Sequence, residues 1–144
     1  MKKTLIILLT IFFIVLAILA INIKARQDDE KALKQFNQEY EQYLENQIYG
    51  TDVTTIINKA IENNKKYNIQ KDENGMYIDD NKYCIIIELN MITVEKTYRM
   101  EQLYNAGLTE FVKNFNVIVF ECTSIEYHKE TGRVSKIVFT QLEK

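Results

Sequence analysis

The run Thr4–Ile23 constrains this chain more than any other feature, because its twenty residues carry no charge and lie between Lys3 and Lys24. At about 1.5 Å per residue such a helix spans about 30 Å, the thickness of a bilayer's hydrocarbon core. Fifteen of the twenty are Leu, Ile, Phe or Val. At roughly −0.3 to −0.6 kcal/mol each on the insertion scale, they sum to about −4 to −9 kcal/mol and outweigh Thr10 and Asn22. Lys2, Lys3, Ala17 and Ala20 supply parts of a cleavable signal peptide. The run nevertheless exceeds the usual h-region of about 7 to 15 residues, and a cut after Ala20 puts Ile18 where a small residue is wanted. The sequence therefore predicts an uncleaved signal anchor over residues 1–24, with the lipid bilayer as the partner of residues 4–23. Flanking charge favours a cytoplasmic C-terminal part, since Lys24, Arg26, Lys31 and Lys34 outnumber Lys2 and Lys3. A short basic tail before a long apolar run is, however, a start-transfer signal, and long domains translocate largely regardless of charge. The expectation is an extracytoplasmic domain at the cell membrane.

Residues 25–144 suffice for one domain and hold 15 Lys and Arg against 20 Asp and Glu, a net charge of about −5. An acidic surface repels the phosphate backbone, so nucleic acid is excluded as a partner. There is no Gly-rich phosphate loop and no clustered set of metal ligands, so neither cofactor nor metal is expected. Cys84 and Cys122 form no disulfide framework by spacing. Each sits in an apolar run, where a free Cys acts as a small hydrophobe; outside the cytoplasm the two could instead pair across neighbouring strands, worth about 3 to 4 kcal/mol in the chain-entropy model.

The expected fold class is α+β. Leu33, Phe36, Tyr40 and Tyr43 recur at spacings of three and four, and neither Pro nor Gly interrupts residues 4–49. This predicts that the membrane helix continues as an amphipathic spine over 27–49, with those four side chains as its packing stripe. Gly50 ends that helix, and Thr51 or Asp52 caps a second one over 51–64, whose stripe is Val53, Ile56, Ile57, Ala60 and Ile61. A mainly antiparallel sheet over 67–142 follows. It has a small hairpin at Asn74 and Gly75, a strand at Lys82–Leu89 apolar on both faces, and a strand at Val94–Tyr98. A helix over Met100–Phe115, broken at Gly107, then leads to a hairpin of Val117–Tyr127 and Val134–Leu142 turning at Gly132.

Few residues form a chemically competent set. His128 is the only histidine, and as a strand-end residue beside a turn it reads as solvated; Ser124 and Ser135 nearby lack an ordered acid and base. Gln70–Asn81 carries Asp72, Asn74 and Gly75 at calcium-loop positions but has Gln70 and Asn81 where the carboxylates belong. Asp79 and Asp80 retain the capacity for a weak surface cation. Asp28, Asp29 and Glu30 read as a solvated face. Glu88 and Glu121 each interrupt an apolar strand, and on a shared face they would perturb one another.

The order of anchor, continuous helix and antiparallel sheet resembles the type IV pilin group, in which the first helix is half membrane span and half domain spine. That resemblance implies a pilin-like architecture; the processing Gly and the acidic residue of that group have no counterpart beside Lys3 and Thr4 or within the run. The segment GTDVTTIINKAIENNKKY, Gly50 to Tyr67, is similar to one in uncharacterised single-pass proteins of AT-rich Gram-positive bacteria, implying a membrane-anchored family. The resulting expectation is a non-catalytic interaction or structural module, with self-association or a protein partner; the alternative is a tethered ligand-binding or sensing domain.

Overall fold

The computed structural model describes residues 2–44 and 46–142; residue 45 of the predicted spine and the last two residues of the predicted 25–144 domain lie outside them. The chain divides into two units, Met1–Gln35 and Phe36–Lys144. The second unit begins at Phe36, and Leu33 falls in the first unit.

The first unit is helical, formed by part of α1 (Lys2–Glu41). From Ile6 to Ile23 every side chain is exposed. This stretch is apolar and long enough to cross a membrane by length and composition. Its two polar side chains bond back onto their own turns, Thr10 Oγ1 donating to the Ile6 carbonyl at 2.8 Å and Asn22 Nδ2 to the Ile18 carbonyl at 2.9 Å. Such back-bonding removes a donor that hydrocarbon would leave unsatisfied, at a cost of several kcal/mol.

The second unit is a mixed α+β fold on a five-stranded sheet. Its α1 residues end at Glu41 in a tight turn, with Tyr43 N–H donating to the Tyr40 carbonyl at 3.1 Å and Leu44 N–H to the Glu41 carbonyl at 3.0 Å. The predicted spine to residue 49 is therefore too long, because Gln47–Tyr49 form β1. Pairing with the outer edge of the sheet satisfies that edge's backbone and buries Ile48 opposite Phe120. No local helix breaker announces this stop; tertiary pairing overrides helical periodicity.

α2 (Gly50–Lys66) carries the expected stripe, with Val53, Ile56, Ile57, Ala60 and Ile61 all buried. Asp52 Oδ2 accepts the Tyr49 N–H at 3.0 Å at its start, and Lys65 and Lys66 face the negative end of the helix dipole. Gly50 starts α2 instead of ending α1. A Cβ there would lie 2.2 Å from the Phe115 carbonyl oxygen, so only Gly permits this close approach. The small hairpin is present as a bridge between Lys71 and Tyr77, its turn shaped by Asp72 Oδ1 accepting the N–H groups of Asn74 and Met76.

Beyond it come β2 (Ile86–Met91), a single 3-10 turn at Ile92–Val94, β3 (Lys96–Arg99), α3 (Met100–Ala106), α4 (Leu108–Phe115), β4 (Val119–Tyr127) and β5 (Val134–Gln141). Gly107, at φ +98°, breaks α3 from α4 as expected. The strand order is β1-β4-β5-β2-β3, antiparallel throughout except for the parallel pair β2–β5. Ile48, Phe120, Phe139, Ile137, Ile87 and Leu89 point to one face, where α2, α3 and α4 pack with Tyr40 and Tyr43. Among the described residues of this unit nothing covers the other face. There a row of Gln47, Glu121, Thr140, Asn90 and Thr97 crosses all five strands in register. The run from Cys84 to Ile87 is accordingly not a strand covered on both sides: Cys84 and Ile85 lie in the loop before β2, and Ile86 is half-buried on the open face.

Gly50→Ala should destabilise the full chain by about 1–3 kcal/mol, the usual cost of forcing extra volume against fixed backbone. A urea titration in detergent micelles, followed by the tyrosine signal of the folded unit, measures it.

Candidate functional site

Two loops at one end of the sheet carry most of the chemically capable side chains: Asp79–Ile85, leading into β2, and His128–Arg133, joining β4 to β5. Because β2 and β5 run parallel, their starts lie side by side and bring these loops together. Asp80 shapes the first loop, its Oδ1 accepting the N–H groups of Lys82, Tyr83 and Cys84 at 3.0, 2.7 and 2.9 Å. Partial burial pushes its carboxyl up, but the three backbone donors outweigh that and hold it below the usual carboxylate range. The second loop closes through His128 N–H to the Arg133 carbonyl and Gly132 N–H to the His128 carbonyl, both at 2.8 Å.

His128 is not the solvated residue the sequence suggests. Only 4 % exposed, its ring places Nε2 at 2.7 Å from the Cys84 carbonyl and Nδ1 at 3.5 Å from Asp79 Oδ1. Donor atoms of Asp79, Asp80 and His128 all lie within 4.8 Å of one another, so these three could together hold a metal ion.

Beside this cluster, a cleft of about 440 Å³ opens between the last turns of α1, the C-terminal half of α2 and Arg133. The Arg133 guanidinium lies 3.5 Å from the centre of the Phe36 ring and within 5.5 Å of Tyr67 and Tyr83, which stack on each other at 4.3 Å. Its Nη2 donates to Asn63 Oδ1 at 3.3 Å, while its buried Nε has no hydrogen-bond partner. Lys59 and Lys66 line the cleft, Lys59 paired with Glu39 at 3.5 Å.

Three of the four predicted stripe residues lie in this unit. Tyr40 is buried, Phe36 packs on it at 5.4 Å, and the Tyr43 ring meets Phe139 edge-on at 6.3 Å. Glu88 and Glu121 do share a face, the open one, but register sets them two strands and two residues apart, about 12 Å. Glu88 is also paired with Lys136 at 2.9 Å. They form no acidic dyad. Ser124 pairs with Val138 on that same face, and Ser135 marks an irregularity in the β4–β5 ladder, so neither joins His128 in a triad.

The cysteines are free, and the disulfide left open by the sequence is not formed. Cys122 sits opposite Phe139, whereas Cys84 precedes Ile86, which pairs with Lys136. They are thus about 16 Å apart along the strands, far beyond the roughly 7 Å limit for a disulfide. Burial pushes both thiols up, Cys84 to about 12.

Periodicity in the sequence also missed Glu101, which is 1 % exposed. Its carboxylate accepts the Tyr77 N–H at 2.8 Å and pairs with Arg99 at 2.9 Å, pinning the small hairpin to α3. No family model, curated protein or solved structure matches the chain.

A buried thiol held neutral reacts slowly. In native protein near pH 8.5, where a free thiol is half ionised, neither cysteine should react with a chromogenic disulfide reagent, and both should do so after urea unfolding. Below about pH 8.5 folded and unfolded Cys84 are both protonated, so its contribution to stability is fully present. It is lost as pH rises toward about 12, and Cys84→Ala should flatten that alkaline loss of stability.

Proposed function

We propose that this chain is a single-pass, membrane-tethered, non-catalytic module whose folded unit lies outside the cytoplasm and acts by binding. One observation carries the reading: between Ile6 and Ile23 the helix exposes apolar side chains throughout, and its two polar ones each donate back onto their own turn, which lowers their cost in hydrocarbon. Supporting a non-catalytic role, the groups suited to acid–base chemistry hold backbone in place: Glu101 on Tyr77, Asp80 on three successive N–H groups, His128 on Cys84. The basic Lys2–Lys3 tail ahead of the run supports translocation of the folded unit. Assembly as a pilin lacks support, since the run has neither a processing Gly before it nor a carboxylate within it.

The buried cysteines make a silent background for topology mapping. Asn74→Cys, on the exposed tip of the small hairpin, should react with a membrane-impermeant maleimide in intact cells, and the protein should stay with the membrane through an alkaline wash. Labelling only after lysis would place the unit inside, and release with a trimmed N-terminus would remove the tether.

A second reading, a tethered receptor for a small anion, is favoured by the Arg133 cleft, where a cationic side chain keeps a buried donor unpaired against an aromatic wall. A panel of small aromatic carboxylates should then raise the melting temperature of the wild type, and Lys66→Ala on the cleft rim should reduce that shift. A panel without effect would remove this reading.

A further inference from the structure

The surroundings of the only histidine leave one nitrogen unexplained. A carbonyl oxygen only accepts, so at 2.7 Å from the Cys84 carbonyl Nε2 must carry the ring proton. Nδ1 of the neutral ring is then itself an acceptor. It faces Asp79 Oδ1 at 3.5 Å, two lone-pair-bearing atoms opposed beside a side chain that is 2 % exposed. Such an arrangement is relieved by a positive charge between them, either a second ring proton or a metal ion. Asp80 supplies a third donor, because its Oδ1 takes the three loop N–H groups while Oδ2 accepts no hydrogen bond among the described residues.

We infer that Asp79, Asp80 and His128 form a binding site for a first-row divalent cation of the zinc class. The spacing fits. Two donors each about 2.1 Å from a tetrahedral Zn²⁺ stand about 3.4 Å apart, close to the 3.5 Å between Asp79 Oδ1 and His128 Nδ1. The donor set fits as well, since imidazole suits zinc and its neighbours in the periodic row, whereas Ca²⁺ and Mg²⁺ take oxygen alone. The Nε2–H bond to the Cys84 carbonyl is the outer contact that fixes the ring and its tautomer in metal-binding histidines. Asp79, with 47 % of its side chain exposed, gives the ion a route from solvent, and water completes the coordination. Bound there, the ion ties the loop before β2 to the β4–β5 turn. The site is independent of the tether and of the Arg133 cleft.

The test uses the full chain in detergent micelles, without a polyhistidine tag, stripped by a chelator and titrated with Zn²⁺ itself. With one histidine in the chain, imidazole ¹⁵N NMR reads a single ring. The wild type should bind one Zn²⁺ per chain, shift the Nδ1 resonance while Nε2 keeps its proton, and gain in melting temperature. His128→Ala risks misfolding because the ring is buried. Asp79→Asn keeps the side-chain oxygen that accepts the Asn81 N–H at 2.8 Å, so it should fold normally and lose at least about ten-fold in zinc affinity. Glu121→Gln, on the open sheet face, should leave binding unchanged. The inference is overturned by an unmoved Nδ1 resonance, which would leave a plain imidazolium–carboxylate pair, by equal affinity in Asp79→Asn, or by a preference for Ca²⁺ over Zn²⁺.

Discussion

The amide of Asn64 is the contact on which the order of the folded unit depends. It is 0 % exposed and makes both hydrogen bonds available to a backbone position: Nδ2 donates to the Ile85 carbonyl and Oδ1 accepts the Ile85 N–H, each at 2.8 Å. An apolar side chain in its place would bury two unpaired backbone groups, at about 1–3 kcal/mol each. That is a large part of the roughly 5–15 kcal/mol by which a domain is stable. The location explains the need. β2 pairs in parallel with β5, and no short turn fixes the register of a parallel pair as it does for a hairpin. Since a slip of one residue would turn Ile87 and Leu89 to the open face, the start of β2 must be held by something other than a turn, and α2 holds it through Asn64.

The same device recurs at that end of the sheet. Asn37 donates to the Gly132 carbonyl at 2.8 Å and accepts the Val134 N–H at 3.0 Å, doing for β5 what Asn64 does for β2. Asn63 Nδ2 holds the Tyr83 carbonyl at 2.7 Å, and Thr131 Oγ1 reaches the Lys82 carbonyl at 2.8 Å, joining the two loops directly. Side chains that look like loose polar decoration in an Asn-rich chain act as substitutes for backbone pairing where strands begin. Their rigidity is what holds His128 and the two aspartates at fixed separations.

Much of this was legible in the sequence, for identifiable reasons. The stripe of α2, the break at Gly107 and the final hairpin depend on periodicity and glycine placement within short stretches, and each is found where local rules put it. Asn64 itself was readable in principle: it falls four residues after Ala60 and three after Ile61, on the apolar stripe, where a polar residue signals a buried bond rather than a helix end. The end of α1 was not readable, because helix gave way to β1 only when β4 offered an edge 70 residues along the chain. Nor was the cluster around His128. Asp79 and Asp80 stand out locally, but their histidine is brought to them by the order β5-β2, a tertiary fact with no local trace.

The open sheet face and the edges beside it limit how the folded unit can meet other proteins. Its exposed cross-strand row is polar from Gln47 to Thr97, with Thr97 Oγ1 donating to Asn90 Oδ1 at 2.7 Å and Thr123 and Thr140 bonded at 3.1 Å. Three of its five side chains, Thr140, Asn90 and Thr97, are thus already bonded within the sheet. The edges are short, three residues in β1 and four in β3, and β3 opens with Lys96. Short edges resist edge-to-edge pairing, and on the β3 side Lys96 and Arg99 add charge, so growth by strand addition is disfavoured. In the proposed binding role, contacts would fall to the helical side and the loop end, where Arg133 and the loop of His128 are held by the asparagine clamps. The loop end that the asparagine clamps order is thus the end that carries Arg133 and the His128 cluster.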